Sequence, residues 1–179
     1  MMNISIRKTE HSDLSEIMRV EEEAFGYNKE AELVKDLLND PTAEPRLSLL
    51  AFDGDEAVGH ILFTSVMIGD TKIKASILAP LAVVPKAQSQ GIGGKLIQEG
   101  LKRLQKEGVS IVFVLGHPGY YPKYGFAPVY PRAIDAPYPI PEKHRDAWMM
   151  QVLDNTNPAT ISGTVVVSDI LNQPEHWRE

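Results

Sequence analysis

The feature that most constrains this chain is a cluster of glycines placed where a helix begins. The segment LAPLAVVPKAQSQGIGGK, residues 78–95, reads as an apolar strand that ends at Pro85, a short loop, and a helix that starts among Gly91, Gly93 and Gly94. Glycines let main-chain amides approach a ligand closely, and the first turn of a helix carries unpaired N–H groups and a positive dipole end. The segment predicts a site for a phosphate or pyrophosphate. A glycine-rich helix start that only serves close packing is the alternative.

Two common phosphate-binding loops do not fit this segment. The P-loop pattern G-x-x-x-x-G-K-[ST], aligned on Gly94-Lys95, requires glycine in place of Ser89 and a hydroxyl residue in place of Leu96. The dinucleotide pattern G-x-G-x-x-G matches Gly91 and Gly93 but then meets Leu96. The sequence therefore argues against nucleotide hydrolysis and hydride transfer.

Length and composition indicate an ordinary folded domain. The chain has 179 residues, 43% hydrophobic and 23% charged, and at about 100–200 residues per domain we expect a single domain over residues 1–179. Cysteine is absent, which excludes disulfides, thiolate metal sites and cysteine nucleophiles. No segment has the apolar length of a signal peptide or a membrane helix. We therefore expect a cytoplasmic protein that does not bind membranes.

Charge is distributed unevenly along the chain. The formal net charge is −6, which together with the lack of an aromatic-basic motif argues against nucleic-acid binding. Acidic residues dominate between Glu10 and Glu56, whereas basic residues dominate between Pro85 and Lys106. An anion bound near residues 85–106 would explain the second region. Solvated helix faces that merely differ in charge are the alternative.

The apolar spacing predicts alternating strands and helices. It indicates a strand, two helices, an antiparallel meander of three strands, a helix and a buried strand, followed by three further strands. In order these segments are 3–8, 14–26, 28–39, 46–53, 56–68, 72–84, 89–106, 109–115, 126–130, 148–153 and 160–167. A proline-rich stretch at 131–141 is expected to be a connector or a loop near the cleft. The pattern predicts an α+β (mixed α/β) fold.

Two motifs carry a family resemblance. The string QSQGIG, residues 88–93, resembles the Q/R-x-x-G-x-G/A motif of the GNAT superfamily of N-acetyltransferases, and Leu81-Ala82-Val83 stands where the acyl-CoA-binding strand of that family ends. LGHPGYYPKYGF, residues 115–126, resembles the LGHPxYYPxFGF signature of the YhbS-like branch, with Tyr124 in place of the usual Phe. SGTVV, residues 162–166, is similar to a late segment of that branch. The resemblance implies a mixed, mostly antiparallel central sheet flanked by helices, with a core at about 1–131 and extra strands at about 145–170.

The resemblance also implies acetyl-CoA as the cosubstrate. Amides from Gln90 to Lys95 would hold the pyrophosphate, Gln88 would close the loop, Val83 would pair with the pantetheine arm, and the Leu81 amide would polarise the thioester carbonyl. The full set of implied contacts is Leu81, Ala82, Val83, Gln88, Ser89, Gln90, Gly91, Ile92, Gly93, Gly94, Lys95 and Tyr121.

Catalytic roles are implied for a smaller group. Tyr121 occupies the tyrosine position of the family's Y-x-x-x-G-F motif and would protonate the departing CoA sulfur, although a half-buried tyrosine bonded to backbone is the alternative. Glu22 is a candidate general base or acceptor contact, and His117 is a second candidate base, with a structurally bonded histidine as its alternative. A water chain could serve in place of either base. The five histidines lack metal-ligand spacing such as H-E-x-x-H, so we expect no metal.

We therefore expect an acetyl-CoA-dependent N-acetyltransferase that transfers the acetyl group directly to a primary amine in a ternary complex. The acceptor could be a small molecule or a protein amine, and the sequence leaves open a monomer or a homodimer. A noncatalytic acyl-CoA-binding or sensing module is the alternative function.

Overall fold

The computed structural model describes residues 3–178, and within them nine strands join a mixed sheet. The helices are α1 (Leu14–Phe25), α2 (Lys29–Leu38) and α3 (Ile92–Lys106). The strands are β1 (Ile4–Lys8), β2 (Leu47–Asp53), β3 (Glu56–Ile68), β4 (Ala75–Val83), β5 (Ile111–Leu115), β6 (Ala127–Pro128), β7 (Ile134–Asp135), β8 (Trp148–Val152) and β9 (Gly163–Val166).

The sheet has the order β1-β2-β3-β4-β5-β8-β6. Strand β9 lies off this path and pairs with the C-terminal end of β3 and with β7. Neighbouring strands are antiparallel except β4 with β5 and β7 with β9, which are parallel. The predicted mixed, mostly antiparallel sheet flanked by helices is confirmed. The predicted meander corresponds to β2, β3 and β4, and β5 is an interior strand as its apolar sequence indicated.

Helices α1 and α3 cover opposite faces of the sheet. Two consecutive residues of β3 show this, since neighbouring residues of a strand point to opposite faces. Gly59 lies against α3, where an added Cβ would come within 3.0 Å of the Leu96 side chain. Its neighbour His60 contacts Glu21 of α1 on the other face. On α3 the sheet-facing stripe is apolar and buried, which is the spacing expected of an amphipathic helix: Ile92, Leu96, Ile97, Leu101 and Leu104.

The parallel pair β4 and β5 separates before either strand ends. Its pairing stops at Leu78 and Val114, whereas β4 continues to Val83. The edge of β4 that faces β5 is therefore unpaired over its last residues. This opening positions the site described below.

Some predicted elements are shorter than expected. The strand expected at 126–130 pairs only at Ala127–Pro128, and one further hydrogen bond runs from the Val129 N–H to the Trp148 carbonyl at 2.9 Å. Pro131 follows and supplies no N–H to continue the ladder. The connector at 131–141 contains the short strand β7. The segment before β6 forms a 3-10 turn at Tyr121–Tyr124, ended by Gly125 in a left-handed conformation with φ of 98°. Among the helices described, none combines the length and apolarity that crossing a membrane requires.

Candidate active site

The unpaired edge of β4 presents main-chain amides to the opening. The Val84 N–H donates to the Val58 carbonyl at 2.9 Å, and the register pairs Ala82 with His60 and Leu81 with Ile61. Bonding groups alternate sides along an antiparallel strand, so the Ala82 amide faces β3 and the amides of Leu81 and Val83 face the opening. The orientation suits the predicted oxyanion role of the Leu81 amide, which stays a prediction.

Gln88 fastens the loop to the end of this strand. Its side-chain amide donates to the Val83 carbonyl at 2.9 Å, and its main-chain N–H donates to the Pro85 carbonyl at 3.2 Å. These two hydrogen bonds hold the loop against the strand, and the predicted contribution of Gln88 to cosubstrate binding stays a prediction. The side-chain bond occupies the Val83 carbonyl, so the Val83 N–H is the group left for a ligand arm lying along β4.

The glycine loop forms a cradle of unpaired amides. Ser89 and Gly91 both adopt left-handed backbone conformations, with φ of 63° and 80°, which turns successive N–H groups toward one side. The first helical bond of α3 runs from the Lys95 N–H to the Gly91 carbonyl at 3.1 Å. Among the described residues, the amides of residues 90–94 have no hydrogen-bond partner. The arrangement suits an anion.

Close packing also requires two of these glycines. A Cβ on Gly93 would lie 2.5 Å from the Tyr120 hydroxyl, and a Cβ on Gly94 would lie 2.5 Å from the Tyr124 ring. Gly91, by contrast, has open space around it and needs its glycine for its positive φ. The packing alternative and the cradle therefore describe the same segment: the glycines admit tyrosine rings on one side and leave amides free on the other.

Tyr121 lies in the opening between β4 and β5. Its ring packs on Gly116 and makes edge-to-face contacts with Tyr120 at 5.1 Å and Phe126 at 5.8 Å between centroids. Burial raises the pKa of Tyr121 to about 12, so the hydroxyl is protonated at neutral pH. Within residues 3–178 that hydroxyl has no hydrogen-bond partner, unlike the backbone-bonded tyrosine of the alternative. Burial and the neighbouring Tyr124 raise the pKa of Tyr120 as well.

A cleft of about 300 Å³ runs from Tyr121 toward α1, α2 and the C-terminal segment. The sequence predictions anticipated two of its lining residues, Leu81 and Tyr121. The rest of the lining comes from β4, β5 and elements distant in sequence: Phe25, Glu30, Leu33, Ile77, Leu78, Ala79, Pro80, Val114, Leu115, Leu171, His176 and Trp177.

Residues 5–129 match the family described as the acetyltransferase (GNAT) domain. The chain belongs to the GNAT acetyltransferases. It is an acyltransferase by this membership and by its similarity to the uncharacterized N-acetyltransferase YjhQ of Escherichia coli K12, which is 48% identical over 165 residues and 90% of each chain. The uncharacterized N-acetyltransferase YhbS of the same strain is 35% identical over 104 residues, 58% of this chain and 61% of YhbS.

Two solved GNAT structures are similar over nearly the whole chain. YhbS of Escherichia coli, crystallised with CoA, superposes with a TM-score of 0.87 at 26% identity and covers 97% of this chain and 94% of its own. A GNAT acetyltransferase of Brucella melitensis, crystallised with acetyl-CoA, has a TM-score of 0.75 at 30% identity, covering 96% and 99%. The resemblance that the motifs indicated is confirmed.

The two predicted bases of this GNAT chain lie away from the cleft lining. His117 is exposed, its Nδ1 accepts the Gly119 N–H at 2.9 Å, and its carbonyl accepts the amides of Tyr120 and Tyr121. Glu22 is exposed on α1. The hydrogen bonds of His117 stabilise the turn that precedes Tyr121. The proton-transfer roles of His117 and Glu22 stay predictions, and neither residue lines the cleft. No group of three or more His, Asp or Glu side chains in the described range is arranged to hold a metal ion.

Glu21, next to Glu22 on α1, is buried, whereas Glu22 is exposed. Glu21 Oε2 lies 2.7 Å from His60 Nδ1, and His60 Nε2 lies 2.8 Å from Ser48 Oγ. Glu21 and His60 are fully buried. Burial raises the pKa of Glu21, His60 opposes that rise, and the negative charge of Glu30 adds to it. Helical spacing was the available signal, because Glu21 falls on the same face as Ile17 and three residues before Ala24.

Glu30 carries the second carboxylate near this position. Its Oε2 is buried and, like Oε1 of Glu21, has no hydrogen-bond partner in residues 3–178. The Tyr27 hydroxyl, 3.5 Å from the other Glu30 oxygen, is at the limit of a hydrogen bond. Glu30 lines the cleft that contains Tyr121. Sequence reasoning missed it among the many acidic residues of this region.

Proposed function

We propose that this protein transfers the acetyl group of acetyl-CoA directly to a primary amine within a ternary complex. The observation that carries the proposal is the adjacency of the glycine cradle, the unpaired edge of β4 and Tyr121 at one opening of the sheet. The complexes of the Escherichia coli and Brucella melitensis relatives with CoA and acetyl-CoA support it.

The chain's own groups fit the cosubstrate along its length. Unpaired amides at residues 90–94 receive the diphosphate, and the Val83 N–H pairs with the pantetheine arm as an added strand would. The Leu81 N–H then donates to the thioester oxygen. One well-placed donor of this kind is worth about 2.7–4 kcal/mol in the transition state.

Tyr121 acts on the departing sulfur. A phenol with a pKa of about 12 is a weaker acid than a thiol of pKa about 8.5, so complete proton transfer in the resting environment costs about 5 kcal/mol. Tyr121 therefore contributes chiefly by donating a hydrogen bond to the sulfur as negative charge develops. If it gives up its proton, the tyrosinate is the stronger base and recovers one from solvent.

Bonds and protons balance without a covalent enzyme intermediate. The ammonium form of the acceptor loses a proton, its nitrogen lone pair forms the C–N bond, and the C–S bond breaks. The second nitrogen proton leaves as the tetrahedral carbon collapses, and the sulfur gains a proton. One proton is released to solvent for each acetyl group transferred.

Two measurements test the proposal together. Titration calorimetry of the whole protein with acetyl-CoA measures binding, and release of the free thiol in the presence of a panel of primary amines measures transfer. We expect both. Binding without amine-dependent thiol release would instead identify an acyl-CoA sensor, and an absence of binding would remove both functions.

A further inference from the structure

Glu30 lines the cleft, and one of its carboxylate oxygens lacks a hydrogen-bond donor within residues 3–178. This oxygen, Oε2, is buried. A buried carboxylate oxygen without a hydrogen bond is costly, so such an atom in a native site indicates a missing partner. The charge and geometry of Glu30 suit an N–H donor, and an ammonium is the strongest such donor.

Most of the residues that line this cleft are apolar. Phe25, Leu33, Leu171 and Trp177 are among them. The Trp177 indole N–H donates to the Leu171 carbonyl at 3.0 Å, and its ring packs edge-to-face on Trp148 at 5.8 Å between centroids. Trp177 is 2% exposed. Glu30 therefore supplies the carboxylate acceptor of this cleft, whereas the body of a bound molecule meets fixed hydrocarbon and aromatic surface.

Size and charge restrict the occupant further. A volume of about 300 Å³ is at the lower end of the range of about 300–1,000 Å³ for ligand pockets, and the acetyl end of the cosubstrate enters the same space. Glu30 is the acidic residue in the described lining, and His176 is the other titratable group there besides Tyr121. A second ammonium group would be desolvated without a carboxylate to pair with.

We infer that the acceptor is a small primary amine with an apolar body, whose nitrogen binds the Glu30 carboxylate and whose body packs between Phe25, Leu33 and Trp177. Glu30 takes up the proton that the ammonium loses before attack. This inference rests on the proposed function and names its acceptor class. It narrows the acceptor from the small-molecule or protein amine that the sequence leaves open.

The first test compares acceptors in the thiol-release assay with saturating acetyl-CoA. The probes are 2-phenylethylamine and isoamylamine as apolar amines, spermidine as a polyamine, and a short peptide with one lysine. We expect kcat/KM for the apolar amines to exceed that for spermidine and the peptide by about tenfold or more, a ratio typical of differences in pocket burial.

The second test uses variants on α2. Glu30→Gln is expected to lower kcat/KM for 2-phenylethylamine about 100-fold, within the range of lost proton-transfer groups, with unchanged affinity for acetyl-CoA. The control Glu32→Gln makes the same charge change at an exposed position of the helix and should leave the kinetics unchanged. Leu33→Ala is expected to favour the longer 4-phenylbutylamine, whereas Leu38→Ala, on the same helix outside this cleft, is not.

The outcomes separate the two proposals. Preferred acetylation of spermidine or the peptide, or equal behaviour of Glu30→Gln and Glu32→Gln, overturns the acceptor inference and leaves acetyl transfer standing. Binding of acetyl-CoA with no acetylation of any probe overturns the proposed transfer function, and the acceptor inference with it.

Discussion

Glu21 Oε2 lies 2.7 Å from His60 Nδ1, and both side chains are fully buried between α1 and β3. The second ring nitrogen of His60 lies 2.8 Å from Ser48 Oγ, so the polar groups form a chain that crosses to β2. Burying such a pair is costly, but each partner removes much of the cost of the other. The pair therefore matters most when one member is lost.

Replacing one partner should destabilise the fold more than replacing both. Glu21→Leu or His60→Phe leaves the other polar group buried without its partner, and each is expected to lower the free energy of unfolding by about 3–5 kcal/mol. The double variant should lose less than the sum, with a coupling of about 0.5–3 kcal/mol. Urea unfolding of the four proteins measures it, and simple additivity would show that the two groups are not coupled.

The pair Arg7 and Asp13 should give an acid-dependent contribution to stability. Arg7 donates two hydrogen bonds to Asp13, at 2.8 and 3.0 Å, and the pKa of Asp13 is lowered to about 2, first by Arg7. A carboxyl group whose pKa is lower in the folded state stabilises the folded protein at pH values above the unfolded-state pKa of 3.8. That contribution is lost as the pH falls through the folded-state pKa of about 2. Because Arg7 is 48% exposed, we expect Asp13→Asn to cost about 1 kcal/mol at pH 7.

Urea unfolding of the wild type and Asp13→Asn between pH 7 and about pH 1 checks this expectation. The difference between the two proteins should be constant above about pH 5, should shrink as the pH falls toward 2, and should vanish about one pH unit below that. A difference that stays at its neutral-pH value down to about pH 1 would indicate a packing role for Asp13 in place of an electrostatic one.

Removing the Tyr121 hydroxyl should slow transfer without weakening binding. Tyr121→Phe keeps the ring contacts with Tyr120 and Phe126, so we expect acetyl-CoA affinity to be unchanged and kcat to fall about 10²–10⁴-fold. Because the pKa of Tyr121 is about 12, its ionisation should produce no loss of activity at physiological pH. The control is Tyr130→Phe at an exposed tyrosine, and an unchanged kcat in Tyr121→Phe would exclude the role at sulfur.

Adding a methyl group at Gly94 should weaken the cradle through Tyr124. The new Cβ would lie 2.5 Å from the Tyr124 ring, so the first turn of α3 or the ring must move. We expect Gly94→Ala to reduce acetyl-CoA affinity about tenfold, equivalent to about 1.4 kcal/mol, and Tyr124→Leu to restore part of it in the double variant. Calorimetry measures both, with Gln98→Ala on the exposed face of α3 as the control.

The parts of the fold that sequence could predict are those set by local chemistry. Periodicity predicted the meander and α3, and the glycine cluster marked the cradle, because helix starts and strand alternation depend on neighbouring residues. The family motif indicated Tyr121 for the same reason. The early end of β6 was missed because Pro131 supplies no N–H to continue the ladder, a property of one position and not of the apolar pattern.

The sequence did not predict the part of the cleft lined by Glu30 and His176, for a different reason. Glu30 and His176 line one cleft although 146 positions separate them in the sequence, and no local pattern encodes that proximity. Glu21, Glu22 and Glu23 are the same residue type, so only their positions around the axis of α1 decide which one is buried. The predicted base Glu22 lies on the exposed side for that reason.

The open edge of β4 has features that disfavour its pairing with another polypeptide. An uncovered strand edge invites pairing with a foreign chain, which leads to aggregation. Here the stretch beyond Leu78 is short, Pro80 supplies no N–H, and Gln88 already occupies the Val83 carbonyl. Another polypeptide strand could therefore form only a few main-chain hydrogen bonds with this edge. A narrow ligand that needs only the Leu81 and Val83 amides is not affected by the missing hydrogen bonds, so the edge favours such a ligand over a strand.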